Sequence, residues 1–194
     1  MRNLSTLAWR VYDAPTKPWH GVVADTEGDD SVYVMRVERR DGVSQLTLAH
    51  ITPTGTEELA VLEVASAPPH VPDVADFRLL ADGGSSVNHM PAICVIGSGG
   101  DIVLMPVDEE ASAPAEVVGS VDQGILAAAW SPEEDVLVLI TGGEKRLIVM
   151  TREFEVMSET MLSTEAFGDD QPVNVGWGSK STQFHGSEGK QAAM

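Results

Sequence analysis

The sequence predicts an all-β protein built from repeated units of antiparallel strands. Three observations carry this. Val/Ile/Leu-rich runs of about four to eight residues recur along the chain, punctuated by Gly, Pro, Asp and Ser. No long window places apolar residues at i, i+3, i+4 and i+7, so the helical period is missing. The pattern of strand and turn signals in the middle of the chain then appears a second time further on.

The elements follow in order. Ser31 to Glu38 alternates, with Val32, Val34 and Arg36 on one face and Tyr33, Met35 and Val37 on the other. Asp41-Gly42 supplies a turn, and Gln45 to Ile51 alternates again through Leu46, Leu48 and His50. Leu59 to Val64 follows the break at Thr52-Pro53-Thr54-Gly55. The connections are too short for parallel crossovers, so the three strands form an antiparallel meander. Ala65 to Pro72 reads as a linker. The first copy of the repeat then runs through Val74–Leu80, Ala92–Ile96, Asp101–Val107 and Glu116–Val121. The second runs through Ile125–Trp130, Val136–Ile140, Arg146–Thr151 and Phe154–Met161. A third copy opens at Val173-Asn174-Val175-Gly176-Trp177.

Gly99-Gly100 recurs as Gly142-Gly143, and Trp130 recurs as Trp177. Four short strands per unit at a period of roughly 40 to 50 residues is the WD40-like β-propeller spacing. Each unit is then one blade, and Trp130 and Trp177, at the strand-to-turn step, are expected to pack between adjacent blades. The predicted layout is a first blade and linker over 1–73, blades over 74–121 and 122–172, and the start of a truncated blade over 173–194. About four blades with the last cut short make an incomplete propeller, and the chain reads as the N-terminal portion of one in a longer protein. A chain stopping inside a blade leaves strand edges uncovered, so marginal stability in isolation is expected.

Composition limits the function classes. The 194 residues carry 12 Lys+Arg against 30 Asp+Glu, a net charge of −18. Phosphate backbones repel such a surface, and the one dense basic patch, Arg36, Arg39 and Arg40, is interleaved with Glu38 and Asp41. Direct nucleic-acid binding is therefore not expected, whereas a basic partner protein suits the charge. No run of 18 apolar residues is present, so no membrane helix is expected. The single cysteine, Cys94, excludes a disulfide within the chain and fits a reducing compartment, cytoplasm or nucleus.

The chemistry-bearing motifs are weighed against plainer roles. Gly97-Ser98-Gly99-Gly100-Asp101 lacks the helix that a phosphate cradle needs, since Ile102-Val103-Leu104-Met105 is a strand; a hairpin turn is expected. His20, His50, His70, His89 and His185 are too scattered to hold a metal. No G-x-S-x-G elbow accompanies the Ser, His and Asp residues, so no catalytic residue and no cofactor is assigned. Asp29-Asp30, Asp169-Asp170, Asp108-Glu109-Glu110 and Glu133-Glu134-Asp135 read as solvated turns. The glycine-rich stretch Gly176 to Gly189 lacks phosphate-loop spacing. Within and just beyond it, Gln183, Phe184, His185, Glu188 and Lys190 are candidates for a partner-binding loop.

One resemblance organises these readings. Asn174-Val175-Gly176-Trp177-Gly178-Ser179-Lys180-Ser181-Thr182-Gln183-Phe184-His185-Gly186-Ser187-Glu188-Gly189-Lys190-Gln191-Ala192-Ala193 resembles a block in the N-terminal propeller of the Elongator scaffold subunit, the IKAP-type family. Met1-Arg2-Asn3-Leu4, Trp130-Ser131-Pro132 with Leu137 to Gly142, and Met150-Thr151-Arg152-Glu153-Phe154 are similar to further steps of that family. Residues 13 to 73 match in strand pattern only, and family members continue far beyond this length. The resemblance implies a non-catalytic scaffold segment of the Elongator complex, with the other Elongator subunits, including the catalytic one, as partners. That assembly places a carboxymethyl-type group on carbon 5 of the wobble uridine in certain tRNAs. The chemistry belongs to a different subunit with an iron–sulfur cluster, S-adenosylmethionine and acetyl-CoA. The alternative is a self-standing β-propeller module that binds a peptide or protein. An enzyme built on a propeller ranks third, since no ring of polar channel residues stands out.

Overall fold

The computed structural model describes residues 21–24, 31–68, 71–84, 87, 89–107, 114–163, 172 and 174–177. Twelve strands are present among them: β1 (Gly21–Ala24), β2 (Val32–Arg40), β3 (Val43–Thr52), β4 (Gly55–Ala65), β5 (Val74–Leu80), β6 (Ala92–Gly97), β7 (Asp101–Pro106), β8 (Glu116–Ser120), β9 (Ile125–Trp130), β10 (Val136–Thr141), β11 (Arg146–Thr151) and β12 (Val156–Met161). They form three four-stranded antiparallel sheets in chain order, β1–β4, β5–β8 and β9–β12. This is an all-β, incomplete β-propeller: a closed ring takes at least about four blades.

The strand periodicity sorts side chains to the sheet faces. In β6, Ile93 and Val95 point toward the first sheet, while Ala92, Cys94 and Ile96 point toward the third. In β7, Val103 and Met105 face the first sheet, and Ile102 and Leu104 face the third. One core therefore joins Tyr33, Met35, Val37, Leu46 and Leu48 to the second sheet. Another joins the second sheet to Ile125, Ala128, Trp130, Leu137, Leu139, Ile148 and Met150. Each such side chain, fully buried, contributes about 1.5–3 kcal/mol. Both faces of the second sheet are thus committed to its neighbours.

Several elements differ from the sequence reading. Strands β2 and β3 run on to the Asp41-Gly42 turn, β2 ending at Arg40 rather than Glu38 and β3 starting at Val43 rather than Gln45. Strand β1 was not expected; Gly21-Val22-Val23-Ala24 pairs along β2, with Gly21 opposite Met35. Strand β4 starts at Gly55 rather than Leu59, because pairing with β3 persists to the turn, where Thr52 sits opposite Gly55. Strand β12 starts at Val156 rather than Phe154, because Phe154 is left-handed (φ 62°) and closes the preceding turn with its N–H on the Thr151 carbonyl at 3.0 Å. Further, no strand forms over the described residues 174–177, where a third copy was expected to open. A strand exists by pairing, and the expected hairpin partner lies outside the described residues. Trp177 is instead tied to β9 by its side chain, the indole Nε1 donating to the Ala129 carbonyl at 3.2 Å.

Candidate functional site

Successive strands run in opposite directions, so alternate turns lie at opposite rims of the sheets. At one rim lie the β2–β3, β6–β7 and β10–β11 turns and the links between sheets. Gly99 and Gly100 in the β6–β7 turn permit very close backbone approach. A Cβ on Gly99 would lie 2.0 Å from the Ala65 carbonyl oxygen of the first sheet, and one on Gly100 2.1 Å from that of Val121. Gly100 also has a φ of 119°, which L side chains rarely adopt. The motif is therefore a turn, as expected, and also the point where neighbouring sheets touch backbone to backbone.

Side chains lock the same rim. Asp101 accepts the Ala65 N–H at 2.7 Å through Oδ2 and the Ser120 hydroxyl at 3.2 Å through Oδ1. Ser98 donates its N–H to the Asp73 carbonyl at 2.9 Å and accepts the Ile125 N–H at 3.1 Å. The Gln123 side-chain carbonyl accepts the Glu144 N–H at 2.8 Å. Beside this lock lies a cleft of about 150 Å³ lined by Val121, Asp122, Gln123, Thr141, Arg146, Ile148 and Glu159. Arg146 spans it, donating to Glu159 at 2.6 Å and to Glu144, and both carboxylates favour its charged form.

The opposite rim carries a second lock, between the second and third sheets. Asp82 of the β5–β6 loop accepts the Gly84 N–H at 2.8 Å, meets His89 Nδ1 at 3.1 Å, and lies 3.4 Å from Arg152 of the β11–β12 turn. The Gly84 backbone bond lowers its carboxyl most; burial opposes it next, and His89 and Arg152 then add to the lowering, so the carboxyl stays below the usual range. The β9–β10 turn is built by Ser131, whose hydroxyl donates to Asp135 at 2.5 Å and accepts the Asp135 and Val136 N–H groups at 3.1 Å. Asp135 is thus a turn-forming residue, and Glu134 reaches Arg78 at 4.0 Å, so this acidic run is more than a solvated tip.

Between the rims lie Asp76 and Cys94, in neighbouring strands β5 and β6. Burial raises the carboxyl of Asp76, opposed by Arg78 and the Phe77 N–H, and its Oδ2 is buried without a hydrogen-bond partner. Cys94 is fully buried; burial first, then Asp76, pushes its thiol above the usual range. A thiol so placed is a core residue and not a nucleophile. Trp130 is 3% exposed, packs in the core shared by the second and third sheets, and meets Phe154 edge-on at 5.9 Å. Trp177 is 43% exposed. Gln183, Phe184, His185, Glu188 and Lys190 lie outside the described residues, as do His20, His70, Asp29-Asp30, Asp169-Asp170 and Asp108-Glu109-Glu110. His50 stacks on Tyr33 at 4.7 Å. Among the described residues no three or more His, Cys, Asp and Glu side chains group as metal ligands. No helix there is long and apolar enough to cross a membrane.

Sequence reasoning missed Asp76, Asp101 and Gln123. Asp101 and Gln123 find Ala65 and Glu144 at distant points of the chain, and Asp76 is set apart only by its burial, so no local pattern marks them; the one available signal was an Asp directly after the Gly99-Gly100 pair.

The family model described as the ELP1 first N-terminal beta-propeller matches residues 1–194. The chain belongs to that propeller family. It is 32% identical over 205 residues to Elongator complex protein 1 of Mus musculus, covering 100% of this chain and 14% of the mouse protein. It is 46% identical over 102 residues to the Drosophila melanogaster protein of the same name, covering 53% of the chain and 8% of that protein. With the Schizosaccharomyces pombe relative the identity is 43% over 97 residues, 49% of this chain and 8% of the relative. The chain therefore spans a small fraction of the length of the relatives it matches.

Proposed function

We propose that this chain is a non-catalytic scaffold segment of an Elongator assembly, supporting carbon-5 carboxymethyl-type modification of wobble uridine in tRNA. The family match over residues 1–194 carries the reading. The way the polar residues are spent supports it. Asp82, Asp101, Gln123, Ser131 and Arg146 all serve turns or sheet-to-sheet locks. Cys94, the one thiol, is sealed in the core. A rigid, acidic stack of sheets suits a role in holding other subunits, and its charge suits basic partner surfaces in the cytoplasm or nucleus.

The test is isolation of the tagged protein from its own cells. Co-isolation of the other Elongator subunits, with loss of wobble-uridine modification when residues 1–194 are deleted from the gene, is the expected result. A protein recovered free of them, with modification untouched by the deletion, would replace this reading with the self-standing binding module. Turnover by the isolated protein without the other subunits would replace it with an enzyme.

A further inference from the structure

The outer groove between the second and third sheets has a composition that none of the locks explains. In β11, Ile148 and Met150 face the second sheet. Their cross-strand partners in β12 are Glu159 and Val156, and Met161 stands opposite Arg146. Directly opposed residues share a face, so Val156, Glu159 and Met161 form a row flanking the cleft. All six residues of β12 are exposed. Val156, Met157 and Met161, each more than half exposed, account for three of the seven exposed large hydrophobics of the described residues. The outer strand of the first sheet, β4, is blunted by Glu57, Glu58 and Glu63. Strand β12 carries a single charge, Glu159. Its outer edge pairs with no other strand among the described residues.

The cleft beside this edge is apolar at its base, with Ile148 and Val121, and acidic at its mouth, with Asp122 facing the loop side and Glu159 the strand side. Glu159 already holds Arg146, which shows that the strand side accommodates a guanidinium. Asp122 is exposed and makes no hydrogen bond or ion pair with a described residue. A long basic side chain has the matching build: its methylenes cover Ile148 and its cation reaches Asp122.

We infer that the edge of β12 receives an extended segment of a partner protein as an added strand. Apolar side chains of that segment lie on Val156, Met157 and Met161, and a Lys or Arg enters the cleft toward Asp122. The net charge of −18 favours a basic segment over an acidic one. Main-chain pairing supplies affinity and the cleft supplies selectivity, as in other strand additions. The inference rests on the scaffold reading only in naming a protein partner.

The probe is a short fluorescent peptide with valine, lysine and valine at every second position and threonine between them, so that the valines and the lysine share one strand face, titrated against the full-length protein. Two controls replace lysine by glutamate, or place proline at alternate positions while keeping the charge. Expected is saturable binding of the valine–lysine peptide, weakened at least about tenfold by Asp122→Lys and by Met157→Lys with Met161→Lys, with unchanged melting of the variants. The glutamate and proline peptides bind at least about tenfold more weakly. Equal binding of the proline peptide would mean diffuse charge attraction and overturn the strand addition. Equal binding by Asp122→Lys would overturn the cleft. Self-association through β12, seen as a dimer that the methionine substitutions dissociate, would give the edge to a second copy and overturn the proposed partner. Loss of Elongator subunits from the tagged protein leaves these peptide results intact, so the two readings fail separately.

Discussion

The second and third sheets have the same strand order and a repeated strand-and-turn pattern, yet they are buried very differently. Strand β6 of the second sheet is buried at every residue, because a sheet lies against each of its faces. The third sheet is packed by the second on one face only. Its other face carries a small cluster of Ala127, Val138, Ile140 and Leu147, touched by Val149, Leu162 and Val175. Strand β12 is exposed throughout. The difference teaches that a blade does not own its core; the core belongs to the junction. Equivalent substitutions in the two sheets should therefore differ in cost.

The largest effect is expected at the double-sided sheet. Leu104→Ala, at a fully buried site between the second and third sheets, should cost about 3 kcal/mol or more in chemical unfolding. Leu147→Ala, the same truncation on the outward face of the third sheet, should cost about 2 kcal/mol or less, since its cluster is small. Equal costs would show that the outer face is packed as completely as the inner one. At the rim, Gly100→Val meets both a left-handed backbone and the Val121 carbonyl, and should cost more than about 2 kcal/mol. Gly55→Ala has open space and should stay within about 0.5 kcal/mol in the same assay.

Smaller effects come with opposite pH signatures at the same junction. The Asp76 carboxyl is raised above its ordinary 3.8, so the folded state binds its proton more tightly than the unfolded chain. Stability from this group falls as pH rises above 3.8, and at neutral pH the buried charge is a burden. Asp76→Asn should therefore stabilise at pH 7, with the gain vanishing as pH drops below 3.8. Asp82 is lowered, so its contribution is present above 3.8 and is lost as pH falls through its folded value. Asp82→Asn should destabilise at pH 7, by less than about 1 kcal/mol because the side chain is more than a third exposed. Thermal melts of both variants from pH 3 to pH 8 check the signs. The smallest effect is Met157→Ser on β12, within about 0.5 kcal/mol.

What could be read from the sequence follows the same division. Strands such as Val74–Leu80, Ile125–Trp130 and Arg146–Thr151 announce themselves by runs of branched residues bounded by Gly, Pro and Asp, which is local information. Trp130-Ser131-Pro132 was legible as a strand-to-turn step for the same reason. Strand β1 is four residues long and has no alternation to reveal it. The locks were not legible, because Asp101 finds Ala65 and Asp82 finds Arg152 only after the sheets have stacked. Of the residues singled out for partner binding, Gln183 to Lys190 lie outside the described residues, while the groove beside β12 emerged only from register.

The most direct test of the scaffold account uses Gly100→Val and Leu104→Ala in the full-length protein in its own cells. Both the amount of assembled Elongator complex and the extent of wobble-uridine modification are measured. The account predicts that modification falls only in proportion to assembled complex, since these residues hold the stack together and take no part in chemistry. Full assembly with modification abolished would contradict it.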